Sequence, residues 1–222
     1  MADFYSNFRE LQLHEQDGRD YRINVSRHWH QVLIIAPHGG KIEPYTSEIT
    51  QWIAGEDFAW YSFEGLKDLN NPRLHITSHN FDEPTLLEAL QEAHTVITIH
   101  GLKHRIDEFL MIGGLDTIFG SDLRVALQRQ GFIVRDSEQP YRGVRATNIC
   151  NRGQSGQGVQ LELSFALRKR LFEDVECKVR FIETVRSVIK GKGGDNESST
   201  YMLYKMCVFF FLSRNWFVNN KG

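Results

Sequence analysis

The sequence predicts an α/β layered fold with a largely parallel central sheet. Three observations predict it. Short, continuous apolar runs such as VLIIAP (32–37) and TVITIH (95–100) have the character of strands buried on both faces. Helical spacing recurs between these runs. Turn residues separate the two kinds of segment, as they do in sheets built from alternating strands and helices.

Taken in chain order, VLIIAP ends in proline and is followed by His38, Gly39 and Gly40. Thr46 is placed to cap a helix whose apolar positions include Ile49, Trp52 and Ile53. FAWYSF (58–63) and LHITSH (74–79) read as further strands. Pro84 opens a helix that runs to Ala93, because proline is well tolerated in a first turn. After TVITIH, FLMIGG (109–114) is a third buried strand. Ile118, Leu123, Ala126 and Leu127 carry a helix over 117–130 that Gly131 stops, and FIVR (132–135) is a strand. GVQLELS (158–164) alternates, with Val159, Leu161 and Leu163 on one face and Gln160, Glu162 and Ser164 on the other. One long helical region covers about 165–189. GKGGDNESST (191–200) reads as a polar linker to an aromatic-rich tail, 201–222, to which no role is assigned. Its longest apolar run is far short of the roughly 20 residues a membrane span needs.

The bulk properties narrow the function. A chain of 222 residues, 41% hydrophobic and 24% charged, supports one full core. A formal charge of −2 does not suit a protein whose task is coating nucleic acid, so no nucleic-acid partner is expected. The three cysteines are dispersed, which suggests neither a thiolate metal site nor a disulfide framework. The opening residues lack the apolar stretch of a secretory signal, so a cytoplasmic protein is expected, released only on lysis. A monomer is expected.

Most of the nine histidines, His75 and His79 among them, fit solvated or core positions as well as functional ones. His38 and His100 differ because each sits at the end of a buried strand. In open α/β sheets, ligands bind in the crevice beyond the carboxyl ends of the strands. Gly39 and Gly40 permit a sharp turn that folds Glu43 back toward His38. Two histidines and a carboxylate are a common catalytic zinc ligand set, with one position left open. Glu162 lies on the polar face of its strand. It is either solvent-facing or a proton acceptor beside a zinc-activated water. Ser155, in RGQSGQG, lacks the spacing of a nucleophile turn and reads as part of a loop.

Three blocks in order, APHGGKIEP, ITIHGLKH followed by MIGGLD, and NICNRGQSGQGVQLELSFALR, resemble the phage and bacillus poly-γ-glutamate hydrolases over roughly residues 10–190. The resemblance implies a zinc carboxypeptidase-like core, a mixed and mostly parallel sheet flanked by helices, forming a hydrolase domain over 1–190. It also implies one zinc ion on His38, Glu43 and His100, with Glu162 as general base. The implied substrate is a polyanion. Lys41, Lys103, Arg105, Arg145 and Arg152 are therefore candidate substrate-binding cations, since arginine pairs with carboxylates in a two-pronged geometry. Two alternatives stay open on the sequence. One is a zinc N-acyl amino-acid deacylase or γ-glutamyl peptidase; the other is a non-enzymatic phage replication-associated protein.

Overall fold

The structure is a computed structural model that describes residues 3–26 and 30–192. The chain divides into two compact units, Met1–Arg186 and Ser187–Gly222, and the candidate site lies within the first. The linker and tail expected over 191–222 fall outside the described residues beyond Lys192, as does His28.

Among the described residues, seven strands form one mixed sheet in the order β1-β3-β2-β4-β7-β5-β6. They are β1 (Tyr21–Val25), β2 (Val32–Gly40), β3 (Ala59–Gly65), β4 (Thr95–Leu102), β5 (Leu110–Gly114), β6 (Val134–Arg135) and β7 (Val159–Ser164). Only the β1–β3 and β5–β7 pairs are antiparallel. The helices are α1 (Phe8–Gln12), α2 (Thr46–Ala54), α3 (Pro84–Glu92), α4 (Thr117–Arg129), α5 (Phe165–Glu173) and α6 (Val175–Lys192). The continuous apolar runs do become the interior strands, as full burial on both faces requires. Leu33 and Ile35 of β2 join Phe8, Phe63, Leu86 and Leu90 in the main core cluster. Among the described residues, no helix is long and apolar enough to cross a membrane.

Several expectations need correction. LHITSH is not a strand. Asn71–Leu74 is a short 3-10 turn, and residues 75–79 lie outside regular structure. The polar groups of that segment are engaged elsewhere: Thr77 N–H donates to Asp3 Oδ2 at 2.7 Å, and Ile76 C=O accepts from His38 Nε2 at 2.8 Å. Thr46 is the first residue of α2 rather than its cap, and its hydroxyl donates back to Glu43 C=O at 2.8 Å. The cap position belongs to Tyr45, held at φ 76°, an uncommon conformation for a bulky residue. The helical region after β7 is broken at Asp174, whose extended backbone ends α5 and whose carboxylate caps the start of α6 at Cys177 N–H. FIVR contributes only two strand residues. The edge strand β1 carried no apolar run to mark it, and its single antiparallel pairing with β3 defines it.

Candidate metal centre

The site is assembled by three adjacent strands, β2, β4 and β7. In β2, the pairing with β3 shifts register between Ala36 and Gly39. Pro37 lies inside that shift, where a residue without an N–H belongs. The chain then turns back on itself: Glu43 N–H donates to His38 C=O at 2.8 Å and Lys41 N–H to Gly65 C=O at 3.0 Å. Gly40 makes the turn at φ +59°, and a Cβ there would lie 2.7 Å from Gly65 O. Glycine is therefore required at this point. The turn delivers the Glu43 carboxylate to the His38 ring, with Oε1 3.2 Å from Nδ1.

From β4, His100 brings its Nδ1 to 3.2 Å from His38 Nδ1 and 3.8 Å from Glu43 Oε2. The second nitrogen of each ring is already occupied. His38 Nε2 donates to Ile76 C=O, and His100 Nε2 lies 3.2 Å from Ser78 Oγ. Two ring nitrogens and a carboxylate oxygen thus meet with their lone pairs facing inward. Such a cluster is repulsive unless a proton or a cation sits among them. Mixed nitrogen and carboxylate donors, backed by hydrogen bonds on their far sides, suit zinc. The residues present therefore fit that ion.

His75 is the residue that sequence reasoning set aside. Its ring stacks on His38 with centroids 4.0 Å apart, and its Nδ1 lies 2.9 Å from Asp3 Oδ1. Ligand atoms of His38, Glu43 and His75 fall within 4.8 Å of one another, so His75 belongs to the cluster's immediate surroundings. Its own segment reads as an ordinary polar stretch, and only the tertiary fold brings it here.

Burial and mutual charge set the protonation. Burial pushes Glu43 up, but His38, His100 and His75 outweigh it and hold the carboxyl at about 2. Burial pushes His38 down, yet Glu43 and the Ile76 carbonyl leave it above its ordinary value. Burial, together with His38 and His75, brings His100 down to about 3. His75 falls to about 4, chiefly through repulsion from His38 and then burial.

Glu162 is the Cα partner of His100 across the parallel β4–β7 pair. It does not face solvent: every residue of β7 is buried, and Glu162 is only 6% exposed. The turn at Tyr141–Gly143 covers this face, with Gln160 Nε2 donating to Tyr141 C=O at 3.3 Å. The same amide group donates to Glu162 Oε1 at 2.7 Å, and Gln160 Oε1 accepts from Asn148 Nδ2 at 3.1 Å. Glu162 is thus oriented by a chain of two amides that sequence reasoning did not identify. Burial first, and then the Glu43 charge, raise its pKa well above the usual carboxylate range.

That shift has a sign that can be tested in chelator-treated protein. As pH rises above 4.5, the unfolded chain releases the Glu162 proton while the folded chain keeps it. The folded state then binds more protons, so stability falls with rising pH, by up to about 1.4 kcal/mol per unit. Glu162→Gln has no such proton to release. Its melting temperature relative to the wild type should rise as pH climbs above 4.5, as thermal unfolding by circular dichroism would record. A constant difference would contradict the protonated assignment.

The candidate cations are spread around this cluster in different circumstances. Arg145 is exposed and places Nη1 3.3 Å from His79 Nε2, one residue from Ser78. Lys103 and Arg105 lie exposed just after β4, with Arg105 stacked 4.4 Å over Phe165. Lys41 reaches Leu66 C=O and Asp68. Arg152 Nη1 is tied to Phe81 C=O at 3.1 Å.

A family model for poly-gamma-glutamate hydrolase matches residues 5–190, which is most of the chain. The chain belongs to the poly-gamma-glutamate hydrolase family. As a member of that family it is a hydrolase. Two proteins of Bacillus subtilis (strain 168), YndL and YmaC, are each 38% identical to it, over 182 and 181 residues. The alignments cover 81% and 80% of this chain and 71% and 76% of those proteins. A solved bacteriophage poly-gamma-glutamate hydrolase superposes with a TM-score of 0.80 at 28% identity, over 86% of this chain and 98% of that one. A zinc-free form of YndL superposes with a TM-score of 0.81 at 33% identity, over 87% of this chain and all of that one.

Proposed function

We propose that this family member hydrolyses the γ-amide bonds of poly-γ-glutamate, with one zinc ion held by His38, Glu43 and His100, and with Glu162 as the proton-transfer group. The observation that carries the reading is the convergence of His38 Nδ1, His100 Nδ1 and the Glu43 carboxylate beside a buried, protonatable glutamate. The solved phage relative is a poly-gamma-glutamate hydrolase, and the zinc-free description of YndL supports zinc as the ion. Zinc in such a site supplies Lewis acidity and a more acidic water.

The chain's own residues do the remaining work. Gln160 holds Glu162 Oε1 and leaves Oε2, which would be ionised once a neighbouring dication offsets the effect of burial, to take a proton from the attacking water. The water oxygen bonds to the amide carbon, the carbon–nitrogen bond breaks, and Glu162 returns the proton to the departing nitrogen. The high proton affinity of Glu162 suits a group that must hold a proton between those two events. Each substrate unit carries a free carboxylate. Arg145, Lys103, Arg105, Lys41 and Arg152 form the cationic surroundings that would receive it, with Arg145 in contact with His79, the neighbour of the Ser78 that meets His100.

The deciding experiment incubates purified protein with high-molecular-weight poly-γ-glutamate, with and without chelator, and follows chain length on a sizing gel. Shortening should occur, stop with chelator and return with added zinc. Polymer of unchanged length in the presence of zinc-loaded protein would overturn the substrate assignment and point to a small amide instead.

A further inference from the structure

We propose that Arg168 is a positioning residue that fixes the three site-bearing segments relative to one another. The inference rests on the site reading above. Its starting point is a conflict. Arg168 lies in the first turn of α5, yet it is only 2% exposed. A cation near a helix N-terminus opposes the helix dipole, and a buried guanidinium loses its hydration. Neither cost is needed to close the core, because Leu167 and Leu171 already supply the apolar face of α5. Conflicts of this kind between local preference and position are expected at functional sites.

The contacts say what the guanidinium does. Its Nη1 donates to Pro44 C=O, its Nη2 to Leu102 C=O at 2.9 Å and its Nε to Leu163 C=O at 3.2 Å. Pro44 follows Glu43 directly. Leu102 is two residues beyond His100. Leu163 follows Glu162. One planar fork therefore binds the metal turn, the end of β4 and the end of β7 simultaneously, and its rigidity makes their spacing definite. The fold makes room for it at Gly101, where a Cβ would lie 2.5–2.6 Å from Nη1 and Nη2. Gly101 N–H in turn donates to Glu43 Oε2 at 2.7 Å, so one residue both admits the guanidinium and holds the carboxylate. The cation also lies in the field of Glu43 and Glu162, which counters the effect of burial on it.

The test compares Arg168→Lys, Arg168→Met and Gly101→Ala with wild type by three readouts. These are cobalt(II) affinity with its absorption spectrum, kcat against KM on the polymer, and amide exchange over 41–48 and 100–105. Arg168→Met should weaken cobalt binding at least tenfold, alter the cobalt spectrum, lower kcat about a hundredfold with little change in KM, and speed exchange in both segments. Arg168→Lys should recover part of each effect. Gly101→Ala, which leaves the charge in place, should shift the spectrum in the same direction. A purely space-filling arginine would lower the melting temperature and leave the cobalt spectrum and kcat as in wild type, and that result overturns the proposal. If Arg168→Met does not fold, the lysine and alanine variants decide. A wild type that binds no cation would instead sink the metal-site reading, while the exchange rates still decide whether Arg168 holds the two segments.

Discussion

Glu162→Gln should retain zinc and lose about 100- to 10,000-fold in kcat. That range is what a positioned general acid–base contributes. The substitution is nearly isosteric, and the buried Gln160 amide can still meet the side-chain oxygen that Oε1 supplies. Its neighbours in β4 and β5 pair through backbone, so the strand itself is not disturbed. The lost quantity is the site at which a water proton can rest. Turnover of the polymer and zinc content by atomic absorption, measured on the same preparation, decide the point. Activity within a factor of ten of wild type would remove Glu162 from the reaction.

Glu43→Ala should lower zinc affinity by more than the about 10- to 100-fold that removal of an outer-shell partner costs, because the proposal makes Glu43 a direct ligand. The loss has a second part. Without the carboxylate, Gly101 N–H loses its acceptor, and His38 Nδ1 loses the counter-charge 3.2 Å away. Glu43→Gln separates the two effects. The amide oxygen can still accept from Gly101, so the turn should keep its geometry, while the missing charge should still weaken the ion. Isothermal titration of the chelated proteins with zinc measures both variants. Wild-type affinity in Glu43→Ala would mean that His75 or another group, and not Glu43, completes the ligand set.

The interior strands and the two strand-end histidines were legible in the sequence because their signals are local. A run such as VLIIAP followed by His38-Gly39-Gly40 states both burial and the place where the chain must turn. The alternation of β7 was read correctly as a period and incompletely as an environment. Period-two spacing places Glu162 opposite Leu161 and Leu163 but cannot say that the Tyr141–Gly143 turn covers its face. The reading of LHITSH failed for a related reason. Its residues have strand-like composition, but the Asp3 carboxylate and the His38 ring, 72 and 38 residues distant from their partners, occupy its polar groups.

By itself, the sequence determined an α/β sheet of mostly parallel strands, a turn that returns Glu43 to His38, and the family to which the chain belongs, since each is written in short runs and ordered blocks. The tertiary structure alone decided the rest of the site. It brought His75 onto His38, Ser78 to His100, Asn148 and Gln160 to Glu162, and Arg168 beneath three segments far apart in the chain. The physical reason is that a charge or hydrogen bond acts over a few ångströms of space, whatever the separation along the chain. Apolar periodicity reports which face is buried, and not which polar group the fold will bring against it.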